Sequence, residues 1–310
     1  MSNKTIVYAS IIIASILWGV ATPIGKFVVE NVPVAMILFF RLLISAILVG
    51  IIALVTNAEF HFKKKDLGII VVTGLLMALT MGFFYSALEY LSATETAILY
   101  NTVPIVTIII GAIFLRERPS LFDLTGIIIA FLGVVLIVAE PFINGDNNAT
   151  YSIIGIALIL FAVLSNVIYS FMGNKIPKKI NITKVMFIFF MSGAIASFPL
   201  AILETVNNPG WHNNLNLSVS LGMLYIAILA TLVPTLLWTY GLERITPSQV
   251  NVFVFISPVA TIILAVKFLG EPINLWIILG VILTFVGIYI ASRDDASHAR
   301  MHKYQRNKHH

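Results

Sequence analysis

The sequence predicts an all-α membrane protein of ten transmembrane helices, arranged as two inverted five-helix repeats. Three observations carry this. Hydrophobic residues make up 59% of the chain and charged residues only 11%, whereas soluble domains carry about 25% charged residues. The excess apolar surface has to face lipid. Next, the segment Leu67–Val138 returns at Leu221–Ser292 at a constant offset of 154 positions. Leu88-Glu89 falls on Leu242-Glu243, Pro104 on Pro258, and Phe114-Leu115-x-Glu117 on Phe268-Leu269-x-Glu271. Gly126 and Gly133 fall on Gly280 and Gly287. Repetition of this length defines the architecture before any local signal does. The third observation is a strongly one-sided distribution of Lys and Arg along the chain.

About 20 apolar residues suffice to cross a bilayer as a helix. Ten such runs follow in order: Ile6–Phe27, Val34–Thr56, Leu67–Leu88, Thr94–Leu115 and Leu121–Ala139, then Tyr151–Met172, Thr183–Leu203, Ser218–Leu242, Pro247–Leu269 and Ile273–Ser292. Short connectors marked by Pro, Gly and Asn separate them, as antiparallel neighbours require. Residues 1–140 are expected to form the first repeat, 141–292 the second, and 293–310 a polar cytoplasmic tail. The first run is too long for a signal peptide and lacks a small-residue cleavage site, so it is expected to stay as a span.

With the N-terminus inside, 16 of the 19 Lys and Arg fall on inside segments, Lys26 and Lys267 fall outside, and Arg41 lies within the second span. The positive-inside rule therefore puts both termini in the cytoplasm of a multi-pass inner (plasma) membrane protein. Five spans per copy turn the second copy upside down. This is the plan of secondary transporters, whose solute site lies near the midplane where the repeats meet. The net charge of +5 is used up as topology signal in the connectors, so nucleic acid is not an expected partner. The absence of cysteine excludes disulfides and thiolate chemistry. No phosphate-binding Gly-Lys loop is present, and no cofactor or metal is expected.

A helix with a central proline, Phe-Leu-x-Glu, then a helix with glycines seven apart occurs twice, as Pro104…Glu117…Gly133 and Pro258…Glu271…Gly287. Together with Trp18-Gly19-Val20-Ala21-Thr22-Pro23 and Arg41, this resembles the EamA-type transporters of the drug/metabolite transporter superfamily. The resemblance covers everything but the tail. It implies transport of a small metabolite through a central cavity, with the cargo unspecified. The chain departs from the small multidrug pumps of that superfamily, because its first and sixth spans carry no acid.

Pro104 and Pro258 sit mid-span, where each frees a carbonyl four residues earlier, so they are read as cavity-lining kinks or gating points, the alternative being packing kinks. Asn101 and Asn251 near them are ligand contacts or interhelical hydrogen bonds, and Phe255 lies beside Pro258. Trp18 and Thr22 share a face of the first span. Their counterparts on the sixth are Phe161 and Ser165, followed by Asn166 and Tyr169. Aromatics beside hydroxyls and amides suit a pocket that stacks an organic solute and orients it with few polar groups. Tyr85 and Trp238 add to this set, with core packing as the competing explanation. Arg41, about 12 Å from the surface at 1.5 Å per residue, has to face protein or water. It docks a substrate carboxylate or phosphate, joins a gate, or pairs with Glu95 or Glu30. Glu95 is also the candidate proton carrier. Glu117 and Glu271 are expected to cap the helices that follow them or pair with basic neighbours. Gly126/Gly133 and Gly280/Gly287 are packing faces, either within the bundle or in a homodimer.

The function that fits these features is export of an amino acid or related polar organic solute by alternating access. An intramembrane enzyme acting on lipid-linked substrates would need His, Cys or paired carboxylates at membrane depth, and the spans offer none. A receptor or assembly subunit would need more loop surface than the short connectors give.

Overall fold

A computed structural model describes residues 3–56, 63–114, 120–143, 149–177, 180–242, 244 and 252–290. Every regular element among them is helical, and ten apolar helices appear in the expected order. They are α1 (Asn3–Val29), α2 (Val34–Val55), α3 (Lys64–Leu88) and α4 (Ala93–Ile113), followed by α5 (Leu121–Ile143) and α6 (Ala149–Gly173). The chain continues through α7 (Ile182–Asn207), α8 (Leu217–Leu242), α9 (Ile256–Leu269) and α10 (Leu275–Ile290). Seven are long and apolar enough to cross a membrane, with α5, α9 and α10 contributing shorter apolar stretches. Large apolar side chains such as Leu54, Phe131, Ile195 and Leu200 lie exposed on the outer surface. That is the arrangement lipid favours, because helices satisfy their own backbone and need no polar exterior.

Packing follows a pseudo-two-fold relation between the repeats. Helix α1 lies against α8 and α9, and its counterpart α6 lies against α3 and α4. Helix α2 packs along α7, the most extensive pairing in the fold, around Leu42, Ala46, Val49, Phe190 and Ala194. The glycines seven apart meet within the chain, settling where that face goes: Gly133 of α5 faces Thr284 and Gly280 of α10, and Gly287 faces Ala130 and Gly126. A Cβ on Gly133 would stand 2.5 Å from the Thr284 backbone nitrogen, and one on Gly287 2.6 Å from the Gly126 oxygen. Backbone cannot yield as a side-chain tip does. Gly287→Leu is therefore expected to destabilise the bundle by about 1–3 kcal/mol or more through overpacking. The thermal midpoint of detergent-purified protein, measured by size-exclusion with fluorescence detection, checks this.

The helix that carries Pro104 is broken rather than kinked. Helix α4 is interrupted by a turn at Asn101-Thr102, between Ala93–Tyr100 and a second α-helical stretch that starts at Val103. In the second repeat a 3-10 turn, Val252–Phe255, precedes the α-helical Ile256–Leu264. The break falls two to three residues before Pro104, because the missing N–H and the ring clash act on the preceding turn.

Candidate functional site

The polar residues at the junction of the repeats come from α1, α2, α4, α6, α8 and α9. Arg41 is 5% exposed in the eighth position of α2. Its Nε donates to Thr231 Oγ1 of α8 at 2.9 Å, and its guanidinium carbon lies 5.3 Å from the centre of the Tyr85 ring. It makes no ion pair with Glu95 or Glu30. The Thr231 hydroxyl in turn donates to the Ile226 carbonyl at 2.7 Å, five residues back. That spacing belongs to the π-helical stretch Tyr225–Leu232 within α8, and such wide turns often mark functional sites. The same stretch brings the Tyr225 hydroxyl to the Leu17 carbonyl of α1 at 3.0 Å. It also lets Ser45 of α2 donate to the Ala227 carbonyl at 2.8 Å.

Two further bonds cross between the repeats. Asn166 Nδ2 of α6 donates to the Tyr100 hydroxyl at 2.8 Å. Thr261 of α9 donates to the Gly19 carbonyl at 2.8 Å, where the missing Cβ of Gly19 lets α1 and α9 approach backbone to side chain. Trp18 and Trp238 pair across α1 and α8 with ring centres 5.1 Å apart. Phe84 stands edge-on to both Tyr85 and Tyr100, at 5.7 and 5.0 Å.

Of the residues singled out from the sequence, Arg41, Tyr85 and Asn166 fall into this network, Trp18 and Trp238 adjoin it through α1 and α8, and Tyr169 packs on Phe189 at 5.8 Å. Thr22 and Ser165 are buried on α1 and α6. Asn101 turns back to donate to the Ala97 carbonyl at 2.7 Å, closing the first half of α4. Pro104 lies just past the break in α4, and Pro258 lies within the α-helical Ile256–Leu264. Asn251 lies outside the described residues, as do the Phe255 side chain and Glu117. Phe161, paired with Trp18 by the repeat, is 54% exposed and stacks on Phe83 at 5.5 Å on the outer surface. Tyr100, Tyr225 and Thr231 were not candidates. Each sits in an apolar run with no flanking signal, and only the fold brings them to Arg41.

Glu95 closes a capping box on α4. Its Oε2 accepts from the Ser92 nitrogen at 2.9 Å and the Ser92 hydroxyl at 2.7 Å, while Ser92 caps the Glu95 nitrogen. Sequence reasoning mistook the target of Glu271. Instead of capping its own helix, it reaches across to the other repeat and accepts from the Ala93 and Thr94 nitrogens at 2.6 and 3.0 Å. At the same end Glu204 accepts from the Ala35 nitrogen at 2.8 Å and Lys26 donates to the Leu88 carbonyl at 2.6 Å. Glu89, just past α3, is exposed as a whole residue. Crowding around its carboxyl nevertheless raises its pKa above the ordinary glutamate value, Glu204 raises it further, and Lys26 opposes both. A raised carboxyl favours the folded state while protonated and loses that contribution as pH rises through its folded pKa. Glu89→Gln is expected to melt slightly higher than the parent at neutral pH and identically at acid pH, as a pH series of thermal midpoints will show.

The fold is that of multi-pass membrane carriers built by duplication. The chain belongs to the EamA-like transporter family, whose model matches residues 5–139 and again 153–293. An uncharacterized transporter of Archaeoglobus fulgidus is 30% identical over 277 residues, which are 89% of this chain and 95% of the relative. The uncharacterized transporter YetK of Bacillus subtilis is 25% identical, with 91% of this chain and 86% of the relative aligned. A solved crystal structure superposes with a TM-score of 0.60 at 17% identity, covering 94% of this chain and 96% of that one, and supports the fold alone. The chain is thus a membrane transporter of small molecules, held in lipid by its apolar helices.

Proposed function

We propose that the protein is an inner-membrane secondary carrier, not an enzyme, that exports an amino acid or a related polar organic solute by alternating access between its two repeats. Both termini face the cytoplasm in this reading, supported by the 16-to-2 distribution of Lys and Arg on connectors. The observation that carries the proposal is Arg41, a charge buried at the repeat junction with a hydroxyl and an aromatic ring as its neighbours. A cation at this depth is costly and marks a substrate or ion path. The helix break in α4, with Pro258 at the matching place in α9, supplies a point at which the halves can rock. Glu95 spends its carboxylate on the Ser92 capping box, which favours a structural role over proton carriage. Counterflow in proteoliposomes tests the reading: a metabolite that raises the thermal midpoint should exchange across the bilayer. Unaltered flux in Arg41→Ala, Asn101→Ala and Trp18→Ala alike would discard the central path.

A further inference from the structure

We infer that the junction site takes a monocarboxylate with a flat apolar body, in preference to a zwitterion or a phosphate. This rests on the reading of the chain as a carrier and revises its cargo, from an amino acid to a plain carboxylate. Arg41 is the ionic side chain set furthest from a helix end among the described residues, and it is 5% exposed. A guanidinium offers five N–H donors. One goes to Thr231 at 2.9 Å, and no described carboxylate pairs with the rest. The remaining edge is the flat fork that binds a carboxylate with two parallel hydrogen bonds. Tyr85 lies under the cation and Thr231 holds Nε, so the fork is already fixed in direction before a ligand arrives.

Charge balance then selects among anions. Among the described residues, every acid lies at a helix end or in a connector. Glu30, Glu89, Glu95, Glu204 and Glu271 gather at one end of the bundle, and Asp66 stands at the other, in the first turn of α3. No carboxylate among the described residues therefore lies mid-helix as Arg41 does. A monocarboxylate leaves the site neutral, whereas a phosphate dianion would leave a net negative charge in the membrane interior. The ammonium of an amino acid would lose its water and find no described carboxylate to pair with. The ring beside the cation is Tyr85, and Phe84 stands edge-on to Tyr85 and Tyr100, while the Tyr225 hydroxyl is already committed to the Leu17 carbonyl. These walls suit a ring or another flat apolar body.

The test uses four phenyl compounds that differ in the head group alone: phenylacetate, phenylalanine, phenylethylamine and phenyl phosphate. Each is titrated into the purified full-length protein, with the thermal midpoint and tryptophan emission as readouts. Phenylacetate should bind at least tenfold more tightly than the other three. Arg41→Lys, which keeps the charge and loses the fork, should weaken phenylacetate at least tenfold. Thr231→Val should weaken it severalfold in a protein that still elutes as a single species. Phenylalanine or phenyl phosphate binding as tightly as phenylacetate, indifference to Arg41→Lys, or no response to phenylacetate would each overturn the carboxylate assignment. Counterflow of some other metabolite in that case would leave the carrier reading standing, whereas loss of all flux and all binding would remove both.

Discussion

Arg41→Gln is expected to abolish most transport while raising the melting temperature of the unliganded protein. The two effects come from one cause. A cation held near membrane depth without a counter-ion costs about 2.5–3.5 kcal/mol even on the lenient insertion scale, and a neutral amide of similar length removes that cost. Thr231 loses a donor, but its hydroxyl still donates to the Ile226 carbonyl, so no buried hydrogen is stranded. A bound anion, by contrast, loses charged hydrogen bonds worth roughly 1.5–3 kcal/mol, or about a tenfold to hundredfold loss of affinity. Counterflow rates and thermal midpoints of the parent and Arg41→Gln, measured side by side, check the pair. A variant that transports poorly and also melts lower would mean that Arg41 is a brace between α2 and α8, and the docking role would fall.

How far the sequence could anticipate this arrangement depends on the distance over which each residue finds its partner. Helices were legible because a lipid-facing run must be apolar along its whole length, and the ten runs were found in order. The α5–α10 seam was legible as a face but not as a pairing, since glycines seven apart in both copies say that something approaches closely without naming it. Arg41 stood out because an ion inside an apolar run has no bland explanation. Thr231 and Tyr225 gave no such warning. Hydroxyls are cheap in a membrane helix, where they bond to their own backbone, and the π-helical turn that aims them has no mark in the residues that form it. Glu271 misled for a related reason: its neighbour Lys267 and the helix after it are close in sequence, but its target is 178 residues away. The offset of 154 reveals that a second copy exists and is silent about which groups bond across the junction.

Glu271→Ala is expected to open the bundle at the end that carries the α1–α2 and α3–α4 connectors, which is the outer end in the proposed topology. The first turn of α4 presents backbone N–H groups without helical partners and the positive end of its dipole. Glu271 satisfies two of them with charged hydrogen bonds at 2.6 and 3.0 Å. Gly270, at φ 66°, makes the left-handed turn that carries the chain off α9 so that the carboxylate can arrive there. The bond ties the α9–α10 connector of one repeat to the broken helix of the other, so α4 cannot swing away at this end while the bond persists. Glu204 on the Ala35 nitrogen and Asn214 on the Asn31 carbonyl also cross between repeats here, but each supplies one bond. Losing two charged bonds should favour the open arrangement by about 2 kcal/mol or more, roughly a thirtyfold shift. The chain has no cysteine, so a single cysteine at Thr22, buried on α1, reports accessibility without background. Its labelling by an impermeant maleimide applied to the proposed outer face should rise steeply in Glu271→Ala. Glu271→Gln, which keeps one acceptor and loses the charge, should fall between. Labelling that stays at the parental rate in both variants would reduce Glu271 to a local cap and move the closure to the Glu204 and Asn214 contacts.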